Sequence, residues 1–357
     1  MKTLLNKLKG FQTLRHPGVI AALGAAILFG IGTPFAKSLL TNVSPWLLAG
    51  LLYLGSGTGL FLYRILNKIP TEKMPPHEWP WLAGAIMTGG ILAPVMLMFG
   101  LKIMSASEAS LLLNAEGVFT TLLAWFVFRE NFDKRIALGM VAIISGALIL
   151  SWPGRMSTLN IWSALLVLGA CLAWGIDNNL TRKVSLSDAT WIAMIKGICA
   201  GLVNLTLAFW LGASFPSLPK IIETLTVGFF AYGVSLTLFV VALRHLGTAR
   251  TGAYFSISPF FGAIISIIFL NEPIHLPLLI AGVLMGLGVW LHLTEHHAHQ
   301  HTHEAVTHEH EHIHDIHHQH FHDEFISPDT KHNHEHTHEI LTHDHPHFPD
   351  SHHQHKH

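Results

Sequence analysis

Charge is scarce in this chain. Only 12% of its 357 residues are Asp, Glu, Lys or Arg, while 50% are hydrophobic. Soluble proteins carry roughly a quarter charged residues. The deficit excludes an ordinary soluble enzyme or binding module and marks an integral membrane protein. Cysteine is almost absent as well. Cys171 and Cys199 both sit in apolar segments, carry no disulfide framework and read as small core residues. The first 18 residues, MKTLLNKLKGFQTLRHPG, lack an apolar run of ~7–15 residues ending in a small-residue site, so no cleavable signal peptide is expected. The apolar segments hold no nucleophile–base pair and no catalytic metal motif. An enzyme is therefore not expected, and no nucleic-acid partner is.

What charge there is divides unevenly. Residues 1–294 hold 19 Lys and Arg against 10 Asp and Glu. Residues 295–357 hold 2 Lys against 12 acids, together with 24 of the 29 histidines. A cationic membrane body thus precedes an acidic, His-rich tail.

Ten apolar segments can be marked, at about 18–40, 45–65, 80–101, 107–128, 135–151, 160–180, 190–211, 221–243, 248–270 and 275–293. With the N-terminus in the cytoplasm, 14 basic residues flank the cytoplasmic ends and 4 the outer ends: Lys37, Lys102, Arg155 and Lys220. That bias puts both termini inside, in the cytoplasmic membrane. The segment Ser107–Phe128 is long enough to cross a ~30 Å hydrocarbon core, yet carries Asn114 and Glu116 near its middle. A carboxylate at that depth costs several kcal/mol unless it faces a bundle interior, a partner or water.

The segments repeat. LGAAILFGIGTPFAKSLLTNVSPW from Leu23 lies over LGACLAWGIDNNLTRKVSLSDATW from Leu168, at an offset of 145. Leu101 onward lies over Leu243 onward at an offset of 142, matching Glu130 to Glu272. Each unit has five spans, and five is odd, so the second unit is expected upside down, as in many secondary transporters. The expected fold is an all-α integral membrane protein of ten transmembrane helices in two inverted five-helix repeats, followed by a disordered tail. Its divisions are a cytoplasmic N-terminus (1–17), a first repeat (18–151), a second repeat (159–293) and the tail (294–357).

These features resemble the drug/metabolite transporter superfamily, in its EamA-type ten-helix form. The likeness rests on the tandem units and on a fourth helix of each unit ending in Glu: AWFVFRE at Glu130 and IISIIFLNEP at Glu272. A proline midway along that helix is usual in the family. Pro259 supplies it in the second copy, while the first copy has Glu116-Gly117 instead. The resemblance implies a compact bundle with a central cavity lined by the first, third, fourth, sixth, eighth and ninth helices. It also implies alternating access by the two halves.

Glu116 is the leading site residue. A carboxyl within a bundle can take a proton at one face and release it at the other, or hold a cationic group of a substrate. The bland alternative is a protonated Glu bonded to a neighbouring helix. Asn114 lies about 200° round the helix and either joins the pathway or contacts a neighbour. In the sixth segment Trp174, Asp177 and Asn178 lie over the first-repeat positions of Phe29, Gly32 and Thr33, with Pro34 next. Pro34 is expected to free a backbone carbonyl, and broken helices at matched positions point to a transporter site. Asp177 is otherwise hydrated near a membrane end, or paired with Arg182 or Lys183. Lys196 is expected to snorkel to an interface. Tyr254 and Ser258 face either the cavity or another helix. Glu130 and Glu272 read as structural acids that fix the turn after each fourth helix, by capping the next helix.

The tail is dense in H-x-H. Its expected metal ligands are His296, His297, His299, His301, His303, His308, His310, His312, His314, His317, His318, His320, His322, His332, His334, His336 and His338. Neutral imidazole binds Zn²⁺, Ni²⁺ and Co²⁺, and with so few apolar residues the tail is expected to stay disordered.

The reading is a secondary transporter, an exporter of a small organic metabolite, with proton coupling through Glu116 and a metal-binding tail. No cofactor is required. The alternatives are efflux of a transition metal or metal chelate, and a membrane-anchored metal sensor or store. A monomer in the bilayer is expected. The small-residue faces Gly55/Gly59 and Gly282/Gly286 leave a dimer open.

Overall fold

The computed structural model describes residues 16–70, 74–127, 134–151 and 158–293, and four tail segments, 300–303, 307–312, 332–337 and 341–344. The membrane body and the tail form separate units, Met1–Glu295 and His296–His357.

Ten helices occur among the described residues of the body. They are α1 Pro17–Leu39, α2 Pro45–Leu66, α3 Pro76–Ile103, α4 Ala106–Phe126, α5 Lys134–Ser151, α6 Thr158–Lys183, α7 Ala189–Trp210, α8 Leu218–Thr248, α9 Arg250–Phe269 and α10 Leu276–Leu293. Eight are long and apolar enough to cross a membrane by length and composition. The other two are shorter apolar helices, over Ala137–Ser151 and Leu276–Leu291.

The starts follow from the sequence. Pro17 and Pro45 sit in the first turns of α1 and α2, where the missing N–H costs nothing. Asp188 caps α7 by accepting from the N–H groups of Thr190 and Trp191. At the end of α8 the chain turns at Gly247, whose φ of 72° a side chain would resist. Leu66, Trp210 and Phe269 stand outward, largely exposed, as a lipid-facing surface requires. The small-residue faces pack inside the bundle: Gly55 lies against the Leu225 carbonyl and Gly59 against the Phe229 ring, both of α8.

Each membrane end is tied by polar contacts. At one end, Glu272 accepts from the N–H groups of Ala106 (2.7 Å) and Ser107 (2.8 Å). Ser105 accepts from the Glu108 N–H (3.3 Å) and donates to its carboxylate (2.7 Å). The first three amides of α4 are thus satisfied. The sequence reading had Glu272 cap the helix that follows it. It caps α4 instead, a helix of the other half, because α4 and α9 pack together and bring the end of one to the start of the other. Glu130 lies outside the described residues. Glu272→Ala should cost about 1–2 kcal/mol, and Glu272→Gln less, because an amide oxygen still accepts one bond. Thermal unfolding of the purified chain checks this, and equal midpoints for all three proteins would refute it. Beside that cap, the Lys37 ammonium donates to the carbonyls of Leu101 and Met104, both at 2.8 Å, at the C-terminal end of α3.

At the opposite end Arg64 donates to the Asp188 carboxylate, to Thr190 and to the Pro70 carbonyl. Burial alone would raise the Asp188 carboxyl, but hydrogen bonds from Arg64, Thr190 and the Trp191 amide hold it below the usual carboxylate range. Its contribution is present above the ordinary carboxylate range and is lost as pH falls through the lowered value.

Helical regularity fails at corresponding places in the two copies. In α3 the segment Ile86–Leu92 winds as a π-helix, and in α8 Phe229–Val234 does the same. In α4 the chain tightens at Leu113–Asn114, where the Glu116 amide bonds back only three residues, to Leu113 (3.0 Å). In α9 it tightens at Ser256–Ile257, with the Phe260 amide on Ile257 (3.1 Å). Asn114 and Ser256 are matched in the sequence repeat at the offset of 142, and Ile86 and Phe229 open the π-helical turns in the third helix of each copy. Pro34, by contrast, does not break its helix: α1 runs through it. The expected irregularity was placed in the wrong pair of helices.

The tail is not wholly without structure, as its composition led one to expect. Strands Gln300–His303 (β1) and Leu341–Asp344 (β4) pair antiparallel, as do Thr307–His312 (β2) and His332–Thr337 (β3). Alternating H-x-H has the period of a strand, which composition alone does not register. In the β2–β3 backbone register His308 is paired with His336, His310 with His334 and His312 with His332.

Candidate substrate site

Glu116 is the eleventh of 21 residues in α4, so a carboxyl sits halfway along a span. The side chain is buried, and the Asn178 amide donates to it at 2.9 Å. The same amide reaches the Thr120 hydroxyl at 3.1 Å. Asn179 donates to the Thr120 carbonyl (3.1 Å) and to Gly175 (2.9 Å), binding α6 to α4 beneath the site.

Two cavities adjoin at Glu116. The larger, about 440 Å³ including its mouth, is walled by Phe29 of α1, Tyr53 of α2, Trp174, Asp177 and Asn178 of α6, and by Tyr232, Ser235 and Phe239 of α8, with Phe255 of α9. The smaller, about 320 Å³, extends past Thr120 to Ser256, Ser258 and Pro259.

The rings are fixed in place. Tyr53 Oη (2.6 Å) and Trp174 Nε1 (3.0 Å) both donate to one backbone carbonyl, that of Gly89 in the π-helical turn of α3. That winding changes the local carbonyl spacing, and here one carbonyl serves two cavity walls. Phe29 meets Trp174 and Tyr232 edge-on, with centroids 5.5 and 5.7 Å apart.

Behind Asp177 lies a buried ion pair. Lys196 of α7 is fully buried, and its ammonium donates to Asp177 Oδ1 and to the Thr181 hydroxyl (3.2 Å). Thr181 in turn donates to the same carboxylate oxygen at 2.8 Å.

Comparison with known proteins matches the chain to the EamA-like transporter family twice, over residues 16–152 and 161–294. The chain belongs to that family. An uncharacterized transporter of Methanothermobacter thermautotrophicus is 30% identical over 301 residues, covering 79% of this chain and 88% of its own. A "probable amino-acid metabolite efflux pump" of Salmonella typhimurium is 27% identical over 194 residues, covering 51% of this chain and 61% of its own. A crystal structure superposes with a TM-score of 0.63 over 78% of this chain and 96% of the other, at 14% identity, which shows a common fold. With its apolar helices, this EamA-like chain is a multi-pass membrane transporter.

Among the residues expected from sequence, Glu116, Trp174, Asp177 and Asn178 line the larger cavity and Ser258 the smaller. Asn114 does not: its amide donates to the Leu111 carbonyl (3.1 Å) and points to Met285 of α10 (3.8 Å). Thr33, Pro34 and Tyr254 line neither cavity. Lys196 does not snorkel, and Asp177 pairs with it rather than with Arg182 or Lys183. Nor does α3 line the larger cavity with a side chain. Tyr53 of α2 does so in its place, and α3 supplies the Gly89 carbonyl.

Sequence reasoning missed Phe29, Tyr53, Phe239 and Phe255. Each is one aromatic residue on a separate apolar helix, which no pattern distinguishes from packing. Gly89 had a signal only in being one of two adjacent glycines, Gly89 and Gly90, within an apolar segment. A Cβ on Gly89 would come within 1.8 Å of Asp177 Oδ2. Gly89→Ala should therefore displace Asp177 and lower stability by about 1–3 kcal/mol. Gly252→Ala, with nothing within 4 Å of the added carbon, should be neutral or mildly stabilising. Melting curves of the two variants check this, and equal losses would refute it.

Proposed function

We propose that this EamA-like chain is a secondary transporter that exports a small organic metabolite across the cytoplasmic membrane. Ten spans form two inverted five-helix halves that alternate access, with both termini in the cytoplasm. Glu116 carries the coupled proton. The observation that carries this reading is a buried carboxyl at mid-span in the wall of an aromatic cavity. Support comes from the matched irregularities of α3 with α8 and of α4 with α9, which flank that cavity. A cavity between two related halves is what alternating access requires. The chain acts without catalysing a covalent reaction.

In this reading the tail binds Zn²⁺, Ni²⁺ or Co²⁺. Support comes from the sequence: closely spaced imidazoles, His308, His310 and His312 and again His332, His334 and His336, are ligands of the kind these ions take. Such metal acts on transport as a modulator.

Vesicles carrying the protein and loaded with a metabolite extract test both parts, with and without the three metal ions. An organic solute should cross with the full chain and with a chain ending at Thr294, and only the full chain should respond to metal. If only metal crosses, and only with the tail present, the metal-efflux reading replaces this one.

A further inference from the structure

The walls of the two cavities are one-sided in charge. Among the described residues they carry two carboxylates, Glu116 and Asp177, and no Lys, Arg or His. The cation nearest to them in the hydrogen-bond network, Lys196, lines neither cavity and is spent on Asp177. One carboxylate, Glu116, is left to meet a ligand; it accepts a hydrogen bond from the neutral amide of Asn178. Around it stand six rings, those of Phe29, Tyr53, Trp174, Tyr232, Phe239 and Phe255.

Resting on the transporter reading above, we propose that the substrate is a monovalent organic ammonium with an apolar, ring-sized body. Its charged head pairs with Glu116 and its body lies among the rings. A cation leaving water regains electrostatic stabilisation from the carboxylate and from π-faces. A phosphate or carboxylate would meet two acids and no counter-charge, which is the arrangement that rejects a ligand. A zwitterionic amino acid would satisfy its ammonium and leave its carboxylate without a partner. A neutral alcohol would gain the rings and nothing from Glu116. Asp177 does not invite a second charge, because Lys196 already neutralises it. The site therefore takes one positive charge at a time.

The test uses the full chain in nanodiscs and four probes with one phenylpropyl body. They are trimethyl(3-phenylpropyl)ammonium, 3-phenylpropionate, 3-phenylpropanol and phenylalanine. Trp174 in the cavity wall gives a fluorescence readout, and calorimetry a second. The ammonium should bind at least about tenfold more tightly than each of the others, and Glu116→Gln should remove that advantage while leaving the alcohol unchanged. The order in the unmodified chain decides the matter even if the variant fails to fold. Propionate or phenylalanine binding as well as the ammonium overturns the inference, as does an ammonium no better than its alcohol. The transporter reading fails separately: there the ammonium binds, but no solute crosses the vesicle membrane.

Discussion

In Glu116→Gln vesicles an imposed pH gradient should no longer drive transport, with a loss of about 10² or more in initial rate. The substitution keeps shape and the bond from Asn178, since an amide oxygen accepts as a carboxylate oxygen does. It removes the negative charge, and with it both the capacity to gain and lose a proton and the pairing with a cationic head. Folding should survive, so the thermal midpoint should stay close to that of the parent. Among the described residues of the cavity wall the other carboxylate, Asp177, is paired with Lys196, so no second proton carrier is expected there. The measurement is solute accumulation against a pH gradient in both directions. Undiminished accumulation by Glu116→Gln would remove Glu116 from the coupling path and leave it the structural role of holding α6 through Asn178.

That Glu116 was legible in the sequence, and its surroundings were not, has a physical reason. An acid at mid-span is rare because it is costly, so its position alone is informative. An aromatic residue in an apolar helix costs nothing unusual. Phe29, Tyr53 and Phe255 converge only through helix crossings that no one-dimensional pattern encodes. The Asp177–Lys196 pair was half legible: two opposite charges stood in neighbouring apolar segments, but which charges meet depends on helix rotation. The irregular turns were foreseen in kind and misplaced. Proline drew attention to α1, yet the distortion follows the glycines of α3 and the junctions before Glu116 and Ser258. Glu272 was recognised as structural, and its partner was missed because capping was sought locally rather than across the halves.

Lys196→Met should be the most destabilising single change in the body. The methionine fills much of the same volume but leaves Asp177 buried with Thr181 as its remaining donor of the pair. Breaking a buried pair from one side costs about 3–5 kcal/mol, because the surviving charge has lost its compensation. The loss carries a signature that a mere packing defect lacks. Adding Asp177→Asn to Lys196→Met removes the stranded charge and should restore most of the midpoint. Asp177→Asn alone strands the lysine and should be destabilising as well. A coupling of about 2 kcal/mol or more in this double-mutant cycle is expected for groups in direct contact. The double variant also separates structure from recognition: with Glu116 intact, it should bind the ammonium probe as the parent does. A Lys196→Met chain as stable as the parent at every pH would mean that the pair contributes nothing, and that Asp177 is a free second carboxylate of the cavity.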